Sequence, residues 1–84
     1  DLVLTGHDHN YQRFTVDDVV FIVSGGGGQT LDAVDDCPRG TPPPAASLDD
    51  RHHFLYVRAN EERLTIQVIP VPGLGPVDRF VLRA

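Results

Sequence analysis

Two histidines one residue apart, His7 and His9, are the residues of this 84-residue chain whose types and spacing point most directly to chemistry. In an extended backbone, residues i and i+2 lie on the same side, with Cα atoms about 6.5–7 Å apart. Both imidazoles can then reach one small volume, while Asp8 points away from it. Such a pair can bind one metal ion, or each imidazole can bind one ion of a dinuclear site. The pair alone is a weak pattern, because solvated loop histidines can have the same spacing.

The residues around the pair strengthen the metal hypothesis. Residues 6–13 read Gly-His-Asp-His-Asn-Tyr-Gln-Arg and lie between two apolar runs, the second of which leads into four glycines. This stretch resembles the last sequence block of the calcineurin-like metallophosphoesterases, in particular the purple acid phosphatase-like branch. The block there reads Gly-His-x-His and is often followed by x-Tyr-(Glu/Gln)-Arg. Looser similarity continues to residues 77–80, where the family tends to have an Asp followed by an aromatic residue, but only the first dozen residues are specific.

The resemblance implies a metal-ligand role for both histidines, with His7 on the second ion of a pair and His9 on the first. Enzymes of that family hold two divalent or mixed-valence ions, such as iron, zinc or manganese. They hydrolyse phosphate esters with a metal-activated hydroxide. The second nitrogen of each imidazole needs a hydrogen-bond acceptor, for which Asp8 or a backbone carbonyl are candidates.

Three further residues of the block, Asn10, Tyr11 and Arg13, join Asp8 as candidates for contacts to the substrate or to the ligand histidines. Arginine binds phosphate well, which favours a substrate role for Arg13. Packing and hydrogen bonds that hold the histidine loop are the favoured interpretation for both Tyr11 and Arg13.

The earlier blocks of the family do not occur in the chain. They read Asp-x-His, Gly-Asp-x-x-(Asp/Tyr), Gly-Asn-His-(Asp/Glu) and a lone histidine, and they precede Gly-His-x-His. Residues 1–84 are therefore expected to be the C-terminal part of one metallophosphoesterase domain, whose full fold by resemblance is a four-layer α/β (αββα) sandwich. This part is expected to supply mostly strands from that fold. It should depend on the N-terminal half of the same domain and should be inactive alone.

Apolar runs and alternating patterns predict a mainly β chain. Asp17-Asp18 and residues 60–63 predict tight turns, and the continuously apolar run 19–23 predicts a strand covered on both faces. Residues 29–51 are rich in Pro, Gly, Asp and Ser, which predicts a loop excursion. In an incomplete domain, strand 19–23 and the two closing strands should expose apolar surface. The predicted strands are residues 1–4, 14–16, 19–23, 53–59, 64–69 and 77–82.

Charge and composition restrict the partners. The net charge is −5, from twelve acids against seven arginines, and there is no lysine. The arginines are scattered along the sequence, which disfavours a nucleic-acid footprint. No apolar run approaches the ~20 residues that a membrane-spanning helix needs. The single cysteine, Cys37, cannot form an internal disulfide and leaves the compartment open, although the resembling branch is often exported.

Other hydrolases with a histidine pair fit the sequence less well. The amidohydrolase barrel needs many later βα units, with lysine or histidine ligands. The metallo-β-lactamase type needs His-x-His-x-Asp-His, and here Asn10-Tyr11 follows the pair. The second class of function is a non-catalytic β-rich binding or structural module with incidental histidines.

Three further patterns have plain structural interpretations. The glycines at 25–28 lack the Gly-Lys-(Ser/Thr) of a phosphate-binding loop, so a structural turn is favoured over a phosphate site. His52-His53 is predicted to be a solvated strand start. Residues 32–36 are predicted to be a solvated acidic loop, because they lack the regular ligand spacing of a calcium site.

Overall fold

A computed structural model describes residues 1–34, 43–73 and 75–83 of the chain. Within these ranges the chain is mainly β and has no helix, and therefore no helix long and apolar enough to cross a bilayer. The strands form one four-stranded sheet, called sheet A, and one three-stranded sheet, called sheet B. They are β1 (Leu2–Thr5), β2 (Tyr11–Val16), β3 (Val19–Ser24), β4 (Ala46–Leu48), β5 (His52–Ala59), β6 (Arg63–Val71) and β7 (Asp78–Arg83).

Sheet A has the strand order β1-β3-β2-β4, with β1 parallel to β3 and the other pairs antiparallel. The two-residue turn between β2 and β3 is Asp17-Asp18, as predicted. Both residues have positive φ, 51° and 63°. A type I′ hairpin turn requires positive φ at both central residues, its twist matches that of the strands, and aspartate tolerates this conformation better than most residues.

Sheet B is an antiparallel meander in the order β5-β6-β7. Its first turn is the predicted one at residues 60–63, where the Asn60 side-chain oxygen accepts hydrogen bonds of 2.9 Å from the amides of Glu62 and Arg63. The Asn60 amide donates to the Arg63 carbonyl at 3.0 Å. These bonds fix the register in which residue 59 faces residue 64.

The inner faces of the two sheets meet in one hydrophobic core. Val20 and Ile22 of β3 alternate inward with exposures of 7% and 0%, and Val68 of β6 is fully buried against them. Leu48 of β4 completes the buried aliphatic side chains of this cluster. The outward side chain between the two β3 core residues, Phe21, is 38% exposed. Within the described residues strand 19–23 is therefore well covered on one face only, and cover on its second face stays a prediction for the complete domain.

The outer faces carry the exposed apolar surface that the sequence predicts. On sheet A, Val3 lies directly opposite Phe21, and the two are 37% and 38% exposed. On sheet B, Phe54 and Tyr56 are both 51% exposed.

One additional strand and one boundary shifted by three residues are the main differences from the sequence-based expectation, and the other boundaries shift by one or two residues. Strand β4 lies inside the stretch 29–51, which was expected to lack regular structure; it forms because its three residues pair with the edge of β2 at positions 11–13. Strand β2 begins at Tyr11 rather than at Phe14. The Tyr-Gln-Arg part of the block is thus strand, and only residues 6–10 form the loop.

Candidate metal site at the histidine loop

The histidine loop, residues 6–10, follows the carboxyl end of β1, and the glycine turn, residues 25–28, follows the carboxyl end of β3. Because these two strands are parallel neighbours, both segments lie at the same end of sheet A. The Gly25 amide donates to the Asn10 carbonyl at 3.1 Å. A Cβ atom at Gly25 would collide with the Asp8 carbonyl oxygen, so glycine permits this close approach. The contact supports the structural interpretation of the glycines.

His9 is held on two sides by the segment that follows the glycine turn. Its Nδ1 lies 2.7 Å from the Thr30 carbonyl oxygen, and its backbone amide donates to Asp32 Oδ2 at 3.0 Å. The Asp32 amide donates back to the His9 carbonyl at 3.0 Å. Since a carbonyl oxygen only accepts, His9 Nδ1 must carry the proton. In the neutral ring, Nε2 then keeps its lone pair, which is the form that ligates a metal.

Of the two acceptors that the sequence left open, the His9 ring contacts a backbone carbonyl and not Asp8. The Asp8 carbonyl accepts from the Asn10 amide at 2.9 Å, so Asp8 serves the loop through its backbone. Asp32 Oδ2 also lies 3.7 Å from His9 Nδ1. Asp35, Asp36 and Cys37 lie outside the described residues.

His7 does not have the extended conformation assumed for the pair. Its φ is 81°, a left-handed value that is uncommon for a residue with a Cβ atom. The same-side geometry of an extended i, i+2 pair therefore does not apply, because the chain bends at residues 7–10. The described residues contain no group of three or more His, Cys, Asp or Glu side chains that could hold an ion.

Asn10 is part of the framework under the loop. It is 1% exposed, its side-chain Nδ2 donates to the Asp32 carbonyl at 3.1 Å, and its side-chain oxygen accepts from Gln12 Nε2 at 3.0 Å. A substrate contact from this side chain would require opening these bonds. Its burial therefore favours support of the histidine loop over a contact to the substrate, the two roles that the sequence left open.

Tyr11 and Arg13 join the two sheets through one carboxylate. Tyr11 Oη donates to Asp78 Oδ2 at 2.6 Å, and Arg13 Nε donates to the same oxygen at 2.8 Å. The Arg13 guanidinium also lies 5.1 Å from the centre of the Phe80 ring, within range of a cation–π contact. This arrangement supports the structural interpretation of both residues. Asp78 is the partner that the sequence did not identify for them.

The pKa values in this cluster shift with its geometry. Burial and the hydrogen bond to Asp78 raise the pKa of Tyr11 well above its usual value. Burial alone would raise the pKa of Asp78, but the hydrogen bonds from Arg13 and Tyr11 outweigh it and lower that pKa. The hydrogen bond to Asp78 raises the pKa of Arg13. At neutral pH the cluster is therefore a neutral phenol, a carboxylate and a guanidinium.

His53 is not a solvated residue, so the prediction for this position is wrong. It is 3% exposed, and its Nε2 shares a hydrogen bond of 2.8 Å with Ser24 Oγ. Its amide donates to the Gly26 carbonyl at 3.0 Å, and its ring meets that of Tyr11 edge to face, with centres 5.6 Å apart. Burial lowers its pKa, with a smaller contribution from His52. His53 thus ties sheet B to the glycine turn beneath the histidine loop.

The alternation of side chains along β5 could have indicated that His53 is buried. It shares the inward face of β5 with Leu55, and it lies opposite the buried Pro70 of β6. Its neighbour His52 lies on the other face, where its Nε2 contacts the Gln29 carbonyl at 2.8 Å. Only one histidine of this second pair belongs to the core.

Comparisons of the chain with family models, with curated proteins and with solved structures gave no match. The sequence block and the geometry of the loop therefore carry the functional argument.

Proposed function

We propose that this chain is the C-terminal part of a dinuclear metal-dependent phosphoesterase of the calcineurin-like type, in the purple acid phosphatase-like branch. The parent domain would be a four-layer αββα sandwich in which sheets A and B form the two central layers. The observation that carries the proposal is the state of His9. Its Nδ1 lies against the Thr30 carbonyl, which leaves the Nε2 lone pair available to a metal ion within the Gly-His-x-His block.

The donor set fits the proposed metals. Imidazole nitrogen suits zinc, iron and manganese, and a ligand histidine usually donates its other N–H to a carbonyl or carboxylate. His7 would hold one ion and His9 the other, with the remaining ligands supplied by other parts of the parent domain. When bound, the two ions supply a hydroxide for attack on a phosphate ester.

The position and strain of the loop also support the proposal. Ligand sites of open sheets commonly lie beyond the carboxyl ends of parallel strands, which is where the loop after β1 and the turn after β3 meet. The positive φ of His7 costs energy for a residue with a side chain, and such strain is concentrated at functional sites. Hydrogen bonds of Asn10, Asp32 and Gly25 hold the neighbouring residues 8–10 of the loop.

The test is turnover of a chromogenic phosphomonoester by the parent protein, together with its metal content. His9→Ala should lower kcat/KM by at least about a hundredfold, which corresponds to ~2.7 kcal/mol, and should remove one ion per chain. His52→Ala is the matched control, because His52 is a histidine of sheet B whose contact is a backbone carbonyl. Full activity and full metal content in His9→Ala would contradict the proposal. That result would favour a non-catalytic β module with incidental histidines.

A further inference from the structure

The outer face of sheet B gathers arginines that are scattered in the sequence. Four of the seven arginines of the chain lie on β5, β6 and β7 at positions whose neighbours face the core. Alternation therefore directs all four to the outer face, three of them near the turn at residues 60–63 and Arg79 farther along, opposite Gln67. They are Arg58, Arg63, Arg79 and Arg83. The fold thus produces a basic face on a chain of net charge −5, which the linear spacing did not indicate.

These arginines have no carboxylate partner among the residues that the structure describes. The ion pairs there involve Arg13 and Arg51 instead. Arg63 and Arg83 lie directly opposite each other across β6 and β7, and like charges in that position are destabilising. The only acid on the three strands, Asp78, faces inward to Arg13. A bound anion would offset this repulsion.

A groove on the same face offers such an anion a polar floor. It has a volume of about 360 Å³, and its walls include Arg58 and Arg79, with Arg63 at one end. Thr65 and Gln67 of β6 lie between the walls and supply a hydroxyl and an amide. Guanidinium groups bind phosphate oxygens through paired, charge-assisted hydrogen bonds, and a groove of this size suits a small molecule.

We propose that this groove binds a small phosphorylated ligand through its phosphate or diphosphate group. The site is separate from the histidine loop, because it lies on the outer face and at the other end of sheet B. His53, which contacts the glycine turn, and Arg58 are five residues apart on β5, or about 17 Å.

The outer face of sheet B is apolar near the start of β5 and basic near the turn at residues 60–63, and this difference leaves the groove uncovered. Phe54 marks the apolar end of this face, toward the start of β5, where a covering layer of a larger domain would pack, and Tyr56 lies at the border of the groove in one cross-strand row with Gln67 and Arg79. Unpaired arginines under such a layer would carry a large desolvation cost. The arginine half therefore stays in contact with solvent and with soluble anions.

Calorimetric titration with pyrophosphate tests the proposal, with a chelator present to remove metal and with about 0.15 M salt to screen weak surface charge. Saturable binding with one ligand per chain is expected. Arg58→Gln and Arg79→Gln should each raise Kd about tenfold, the effect of losing one charge-assisted contact. Arg51→Gln is the matched control, because Arg51 pairs with Asp50 away from the groove. His9→Ala should also leave Kd unchanged.

Three results would overturn the proposal. The first is the absence of saturable binding by the wild-type chain. The second is an equal rise in Kd in Arg51→Gln, which would indicate a bulk charge effect. The third is binding of a single-stranded oligonucleotide without binding of pyrophosphate, which would indicate a polyanion surface. Loss of metal-dependent turnover would bear only on the histidine loop, so the two proposals fail independently.

Discussion

Replacing Asp78 with asparagine should destabilise the fold strongly, because this carboxylate accepts from both Tyr11 and Arg13 at 2.6 and 2.8 Å. Hydrogen bonds to charged groups contribute about 1.5–3 kcal/mol each. The side chains of Asp78 and Arg13 are only 12% and 22% exposed, so solvent screening is modest. Asparagine keeps one acceptor oxygen but leaves Arg13 without its counter-charge. We expect a loss of about 2–3 kcal/mol in the free energy of unfolding, or roughly 10–20 °C in Tm for a domain of this size.

The assay is urea denaturation followed by far-ultraviolet circular dichroism, with Asp50→Asn as the matched control. Asp50 also pairs with an arginine, but at 3.6 Å and with its side chain 77% exposed. That control should cost less than about 0.5 kcal/mol. Because the folded pKa of Asp78 lies below its unfolded value of about 4, its contribution is fully present above that pH and is lost as the pH falls through the folded pKa. Equal losses in the two variants, or a loss that does not change with pH, would show that the Asp78 carboxylate does not stabilise the fold in this way.

Three further predictions concern the glycine turn, His53 and catalysis. Gly26→Ala should lower the free energy of unfolding by about 1–3 kcal/mol, since a Cβ there would lie 2.7 Å from His53 Nδ1. Gly27→Ala is the control in the same denaturation assay, and it should be nearly neutral because Gly27 has open space around it. The pKa of His53 is lowered by burial, so wild-type stability should be complete above about pH 6.5 and should fall by up to ~1.4 kcal/mol per pH unit below it, until the folded pKa is reached. His53→Phe should lack this pH-dependent loss of stability, and His52→Phe should retain it. Parallel pH profiles of all three proteins would show that the loss does not come from His53. The 84-residue chain alone should not hydrolyse a chromogenic phosphomonoester, and metal-dependent turnover that His9→Ala abolishes would show this prediction to be wrong.

Much of the strand pattern could be predicted because it depends on local chemistry. The alternation of Leu64, Ile66 and Val68 marks β6, and Asp17-Asp18 marks a two-residue turn because short polar side chains tolerate positive φ. Strand β4 could not be predicted. It consists of three residues, Ala46–Leu48, in a stretch rich in proline and aspartate, and it exists because the edge of β2 offers free hydrogen-bonding groups.

The sequence indicated the candidate ligands more readily than the residues that support them. The types and spacing of His7 and His9 mark both as candidate ligands, but the conformation of the loop depends on contacts across 21–23 residues, from Thr30 and Asp32 to His9. Such contacts have no signature in local sequence. The burial of His53 was missed for a different reason, since a histidine counts as polar even when its position in a strand faces the core.

Nitrogen-15 NMR of the histidine side chains in the zinc-loaded parent protein shows directly whether His7 and His9 each hold one metal ion. Zinc should shift resonances of both rings, and His9 should bind it through Nε2 while its Nδ1 stays protonated against the Thr30 carbonyl. The resonances of His52 and His53 should stay close to their metal-free positions. Unchanged His7 and His9 resonances at saturating zinc would contradict the account.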